Sequence, residues 1–222
     1  MKSKTLRCHR RQALAALLGC ALLPSTSAAP RSATSRLVLV LGDSLSAEYG
    51  IAPGSGWVAL MGRHERLKGW QLFNASVSGE TSAGGKARLS ALLKLHQPAW
   101  VFLELGSNDA LRGLPLDALR RNLDAMITDI KATGAQVFLI GAQMPGNYGP
   151  AFNKSLLAVY ADLARQHQLP WMPHLLRSLE TEAQPQDWLQ GDQLHPLAKA
   201  HPRILQDILA TWPVTATPGR RP

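Results

Sequence analysis

Beginning at residue 37, the chain repeats one pattern: a short, largely apolar run, then a longer stretch in which apolar residues recur at helical spacing. The short runs are residues 37–41, 71–75, 100–105, 136–140 and 169–172; the amphipathic stretches are 57–67, 84–96, 116–132, 151–168 and 196–211. In 116–132 the apolar stripe is Leu119, Leu123, Met126, Ile127 and Ile130, the signature of a helix with one buried face. Strands apolar on both sides, each followed by a helix, specify a parallel sheet covered on both faces. The fold expected is therefore α/β, a three-layer α/β/α sandwich around about five parallel strands. In such sheets ligands bind beyond the carboxyl ends of the strands, where Ser44, Gly79, Asn108 and Met144-Pro145 all fall.

The first 28 residues are of another kind. Lys2, Lys4, Arg7, Arg10 and Arg11 precede an apolar stretch from Ala13 to Leu23, which ends in Thr26-Ser27-Ala28. This is the layout of a secretory signal peptide, and the apolar part is too short for a stable membrane span. The division expected is a signal peptide over 1–28, a linker over 29–36, one domain over 37–212 and a loose tail over 213–222. A periplasmic or secreted location follows. Leu17-Leu18-Gly19-Cys20 also resembles a lipoprotein cleavage box, so a lipid anchor on Cys20 is the alternative to cleavage near Ala28.

That segment holds five basic and no acidic residues, so the formal charge of +9 falls to +4, 19 basic against 15 acidic residues, once it is set aside. No basic stripe with interleaved aromatics remains to suggest nucleic acid. Both cysteines, Cys8 and Cys20, lie in the same segment, which excludes a disulfide scaffold and a thiolate metal site from the body. No clustered ligand spacing suggests a metal, and no cofactor is expected.

Two islands carry chemistry. Gly42-Asp43-Ser44-Leu45-Ser46 follows the first strand, with Ser44 expected to open a helix; Asp192-Gln193-Leu194-His195-Pro196 places a carboxylate three residues before an imidazole. A hydroxyl, a base and a carboxylate to orient the base are the three groups of a serine hydrolase. Taken alone, Ser44 serves equally well as a helix N-cap. Asn108, after the strand at 100–105, has an amide able to donate to an oxyanion, and Gly79 lets a backbone N–H approach the same point; each is also an ordinary turn residue. Asp43 and Asp109 adjoin these positions and are expected to support a network rather than to react. His201-Pro202 mimics His195-Pro196 but lacks the carboxylate at i−3, and His64, His96 and His167 belong to polar helix faces.

Gly42-Asp43-Ser44-Leu45-Ser46, Gly79, Gly106-x-Asn108 and Asp192-x-x-His195 together resemble the four blocks of the SGNH (GDSL) hydrolase superfamily. Asn74-Ala75-Ser76, Asn108-Asp109-x-Leu111-Arg112-Gly113 and Pro145-x-Asn147-Tyr148-Gly149 make the chain similar to its bacterial periplasmic branch of thioesterases, lysophospholipases and arylesterases, over about residues 37–212. The resemblance implies a flavodoxin-like sheet, Ser44 as nucleophile, His195 as base, Asp192 as its orienting group, and an oxyanion hole from the N–H of Ser44, the N–H of Gly79 and the side chain of Asn108. It implies an acyl-enzyme route on small esters or thioesters. Deacetylation of carbohydrate or peptidoglycan is a second reading, and a non-catalytic envelope binding module is the rival from another class. Ser107, where close relatives often carry Gly, and Glu48, where they usually carry Gly or Ala, depart from the pattern. The loop at 144–152 has no charged residue; Met144, Asn147, Tyr148 and Phe152 are its expected substrate contacts. The protein is expected to act as a monomer.

Overall fold

A computed structural model describes residues 36–213; the expected signal peptide, Cys8, Cys20 and the tail beyond 213 lie outside the described residues. Five strands, β1 (Leu37–Gly42), β2 (Gln71–Asn74), β3 (Trp100–Glu104), β4 (Gln136–Ile140) and β5 (Trp171–Met172), form one parallel sheet in the order β2-β1-β3-β4-β5.

Strand side chains alternate between faces, and that alternation sorts the core into two layers. Leu39 and Leu41 of β1, Val101 and Leu103 of β3, and Val137 and Leu139 of β4 face α2 (Ser82–His96), α4 (Leu116–Ala132) and α5 (Pro150–His167). Val38 and Val40, Trp100 and Phe102, and Phe138 and Ile140 face α1 (Trp57–Gly62) and α6 (His201–Thr211). The stripe Leu119, Leu123, Met126, Ile127, Ile130 is wholly buried. Each of those side chains contributes roughly 1.5–3 kcal/mol by leaving water.

The spans at 116–132 and 136–140 are as the sequence predicts; others differ at their ends. The stretch 57–67 divides into α1 and a separate 3₁₀ turn, Glu65–Leu67, which the His64 ring caps by accepting from the Arg66 N–H. The stretch 196–211 divides likewise into a 3₁₀ turn, Ala198–Ala200, and α6, with Pro202 in its first turn. A short helix, α3 (Ser107–Leu111), occupies what reads as a loop.

Strand order places the site. The chain leaves β1 towards β2 on one side and comes back to β3 on the other, so the crevice opens between the carboxyl ends of β1 and β3. Gly42 is in register with Glu104, and Glu104 with Ile140. Segments 43–50 and 105–111 therefore emerge side by side, with the loop after β4 adjoining. Tyr160 of α5 fixes one of them: its buried hydroxyl donates to the Leu105 carbonyl at 2.8 Å.

Candidate active site

Ser44 is not the first residue of a helix. Ala47 N–H donates to the Asp43 carbonyl (3.0 Å), one helical turn, but Glu48 (φ 60°) and Gly50 (φ 70°) adopt left-handed backbone and the segment 44–50 is a run of turns. Left-handed residues cannot continue a right-handed helix. The Glu48 carboxylate turns away from Ser44: it accepts from the N–H groups of Gly54 (2.9 Å) and Gly56 (2.8 Å), holding the next loop. The departure at position 48 is thus a loop clamp.

Ser44 Oγ lies 2.7 Å from His195 Nε2, and His195 Nδ1 lies 2.6 Å from Asp192 Oδ2. With Nδ1 carrying the proton for Asp192, Nε2 is left to accept the serine hydroxyl. The slight burial of Asp192 opposes its charge, but the backbone N–H groups of His195 and Leu194 and the His195 ring outweigh it and hold the carboxyl down at about 2. It is therefore ionised at neutral pH.

Asn108, in the first turn of α3, donates one Nδ2 hydrogen to Asp43 Oδ2 at 3.1 Å. The second hydrogen of that amide is free for a ligand. The N–H groups of Ser44 and Gly79 donate to no acceptor among the described residues, and Gly79 needs its φ of 80° to take part in the turn, a backbone region closed to most side chains. Arg112 Nη2 donates to the Gly79 carbonyl at 2.7 Å and ties that turn to the end of α3. Three donors and one hydroxyl thus come from the ends of β1, β2 and β3.

Residues beneath this layer fix it, and the sequence gives few signals for them. Glu104, a lone carboxylate in an apolar strand, is buried and accepts from Ser46 Oγ (2.7 Å) and the Asp43 N–H (3.2 Å). The Ser46 hydroxyl is therefore committed below the sheet edge. Gly42 allows this approach, since a Cβ there would lie 2.6 Å from Glu104 Oε2. Asn74 Nδ2 donates to the Ser46 carbonyl (2.8 Å). Asp109 points elsewhere, accepting from the N–H and hydroxyl of Ser82 at the start of α2 (2.7 and 2.5 Å). Gln190 Nε2 donates to the Tyr49 and Pro196 carbonyls (2.8 and 3.1 Å), joining the serine segment to the histidine segment, and the Tyr49 ring lies 4.4 Å from the His195 ring. Neither Gln190 nor Tyr49 carries a sequence signal of its own.

Burial pushes the Asp43 carboxyl up to about 6, against hydrogen bonds from the Leu45 backbone and Asn108 and the charge of His195. Burial and the neighbouring Asp43 charge raise Glu104 as well. An unfolded Asp titrates near about 3.9, so between about 4 and 6 the folded chain keeps a proton that the unfolded chain has released. This contribution to stability is fully present below about pH 4 and is lost as pH rises through 6. Thermal unfolding is expected to show the wild-type Tm falling relative to that of Asp43→Asn between pH 4 and 7; parallel profiles would contradict this.

A cavity of about 230 Å³ is lined by chain neighbours of Ser44, Asn108 and His195. Leu45, next to Ser44, and Ser107, next to Asn108, line its near side, and Met144, Leu179, Leu189 and Leu194 much of the rest. Of the four substrate contacts expected from the loop after β4, only Met144 lines this cavity. The Tyr148 and Phe152 rings meet at 5.9 Å with their planes tilted by 41° and pack against the core, while Asn147 is exposed. Three other histidines lie apart from the site: His96 stacks on Phe73 at 3.8 Å, His167 pairs with Asp124 at 2.6 Å, and buried His201 Nδ1 accepts from the Trp57 N–H at 3.1 Å, capping α1. Among the described residues no group of three or more His, Cys, Asp or Glu is placed to hold a metal, and no helix is long and apolar enough to cross a membrane.

Residues 40–203 match the sequence model of the GDSL-like lipase/acylhydrolase family. The chain is 40% identical over 185 residues to Esterase TesA of Pseudomonas aeruginosa, covering 82% of this chain and 89% of the relative. It is 41% identical over 174 residues to thioesterase 1/protease 1/lysophospholipase L1 of Escherichia coli, covering 78% and 82%. A crystal structure of TesA superposes with a TM-score of 0.74 at 41% identity, over 79% of this chain and 97% of that one.

Proposed function

We infer that this chain, an ester and thioester hydrolase that belongs to the GDSL-like lipase/acylhydrolase family, works through an acyl group carried on Ser44. The observation that carries this reading is the unbroken line from Ser44 Oγ to His195 to Asp192, at 2.7 and 2.6 Å. His195 Nε2 takes the hydroxyl proton as Oγ attacks the acyl carbon, and Asp192 stabilises the imidazolium that forms. The carbonyl oxygen becomes an oxyanion facing the N–H groups of Ser44 and Gly79 and the free Nδ2 hydrogen of Asn108. The imidazolium returns its proton to the departing alcohol or thiol. Water then attacks the acyl-serine by the same route, and no cofactor takes part.

Asn108→Ala is expected to lower kcat by about 10²–10³, the effect of removing one preorganised oxyanion donor, with KM nearly unchanged. Steady-state kinetics on one ester decides it. A change confined to KM would make Asn108 a substrate-binding residue instead.

We propose that the acyl chain enters the cavity beside Leu45, with Met144 on its wall and Tyr148 and Phe152 holding the loop from behind. Each methylene buried is worth at most about 0.8 kcal/mol. Values of kcat/KM on p-nitrophenyl esters are therefore expected to rise from acetate to a medium chain and then level off. A preference for acetate over every longer chain would favour the deacetylase reading.

The basic start, apolar stretch and small-residue end of residues 1–28 support export, and we propose a periplasmic or secreted monomer acting on small acyl substrates. N-terminal sequencing of protein recovered from cells separates cleavage near Ala28 from a mature chain that begins at Cys20.

A further inference from the structure

We propose that the cavity beside Ser44 is built to accept an acyl chain that bears a hydroxyl group, and that His174 is the residue that binds that hydroxyl. The proposal rests on reading the cavity as the acyl site and adds the class of chain it selects.

His174 follows β5 and lines the cavity beside Leu175, Leu176, Leu179 and Met144. Its side chain is only 9% exposed. A buried imidazole in apolar company is costly unless its nitrogens are paired. His201, also buried, meets that requirement through the Trp57 N–H. His174 does not. Its nearest polar partner is Glu180 Oε1, 3.5 Å from Nε2, at the outer limit of a hydrogen bond. That oxygen already accepts from Gln143 Nε2 at 2.5 Å. No other hydrogen bond reaches the His174 ring among the described residues.

The chemistry of the missing partner follows from the charges present. Burial lowers the His174 pKa, with the Arg177 charge acting the same way and the Glu180 and Asp207 carboxylates opposing it, so at neutral pH the ring is uncharged and offers one donor and one acceptor. An anionic chain end would face Glu180, 3.5 Å from the ring, while the neighbouring Arg177 is already paired with Asp207 at 2.8 Å. A hydroxyl is neutral, both donates and accepts, and can pair with either ring nitrogen. It would sit in a cavity that Leu45, Met144 and Leu179 line together with the polar Gln143, Glu180 and Gln193, and the aliphatic part of that wall suits the hydrocarbon of the same chain. A plain acyl chain would cut the ring nitrogens off from the solvent they still reach through the cavity and leave them unpaired.

The test compares p-nitrophenyl octanoate with its 3-hydroxy and 7-hydroxy analogues on the purified wild-type protein and on His174→Phe and His174→Gln, each corrected for spontaneous hydrolysis. One hydroxy isomer is expected to exceed octanoate in kcat/KM by about tenfold in the wild type, the gain from one hydrogen bond to a buried polar group. His174→Phe should abolish that ratio, whatever its effect on the octanoate rate itself, and His174→Gln, which retains a donor and an acceptor, should preserve part of it. Fluorophosphonate labelling of Ser44 at the wild-type rate shows that each variant is folded and its triad intact. Equal rates on all three esters, or a ratio unchanged in His174→Phe, would overturn the proposal. If octanoate still exceeds acetate in that case, the acyl cavity stands and only the hydroxyl selection falls; if acetate is best, the acyl reading falls with it.

Discussion

Ser44→Ala is expected to lower kcat/KM on an activated ester by on the order of 10⁴-fold or more, leaving only the residual rate that binding and an oxyanion hole provide. Ser46→Ala is the informative companion. Ser46 is two residues away and equally a serine, but its hydroxyl donates to the buried Glu104 carboxyl, so removing it strips a partner from Glu104 and leaves Ser44 in place. Its loss should appear mainly in stability, at about 1–3 kcal/mol for a buried carboxyl left short of a donor. Kinetics and thermal unfolding on the two variants separate the roles; equal kinetic losses would contradict the assignment of Ser44.

His195→Ala is the second large effect, expected to cost three to four orders of magnitude in kcat or more. His201→Ala should leave kcat near the wild-type value, although both histidines precede a proline. The difference lies in their surroundings. His195 joins Ser44 to Asp192, whereas His201 caps α1 through the Trp57 N–H and is held down at about 4 by burial, against the Glu48 charge. Losing that cap should destabilise the fold by about 1–2 kcal/mol. Asp192→Asn should fall between the two in kcat, because it leaves the imidazole in place but no longer selects its tautomer. Comparable kcat losses from the two histidine variants would mean that the base has been misassigned.

How much of this was legible beforehand depended on periodicity. The unbroken apolar runs of β1, β3 and β4 and the stripe in α4 follow from burial alone, so strand and helix identities were readable from Leu37 onward. Ends were less so. Nothing in Trp57 to Leu67 announces that the α-helix stops at Gly62 and resumes as a 3₁₀ turn capped by His64. Nor does anything at Ser44 announce the left-handed turn at Glu48 that prevents a helix, because Glu takes that conformation here only with its carboxylate fixed on two loop amides. The polar groups at the strand ends were legible because reactive types stood at fixed offsets from apolar runs. Their supports were not, since Glu104, Gln190 and Tyr49 act through contacts formed across 58 to 141 positions of chain. The cavity illustrates the same limit: Met144 lines it, but much of its remaining wall comes from the loops after β5 and before His195, which no local pattern joins to residues 144–152.

The most direct test of the central claim is peptide mapping by mass spectrometry after treatment with a fluorophosphonate. A single adduct on Ser44 is predicted, formed rapidly in the wild type and very slowly in His195→Ala. An adduct on Ser46 or on any other residue, or labelling of Ser44 at the same rate without His195, would contradict a mechanism in which His195 activates Ser44.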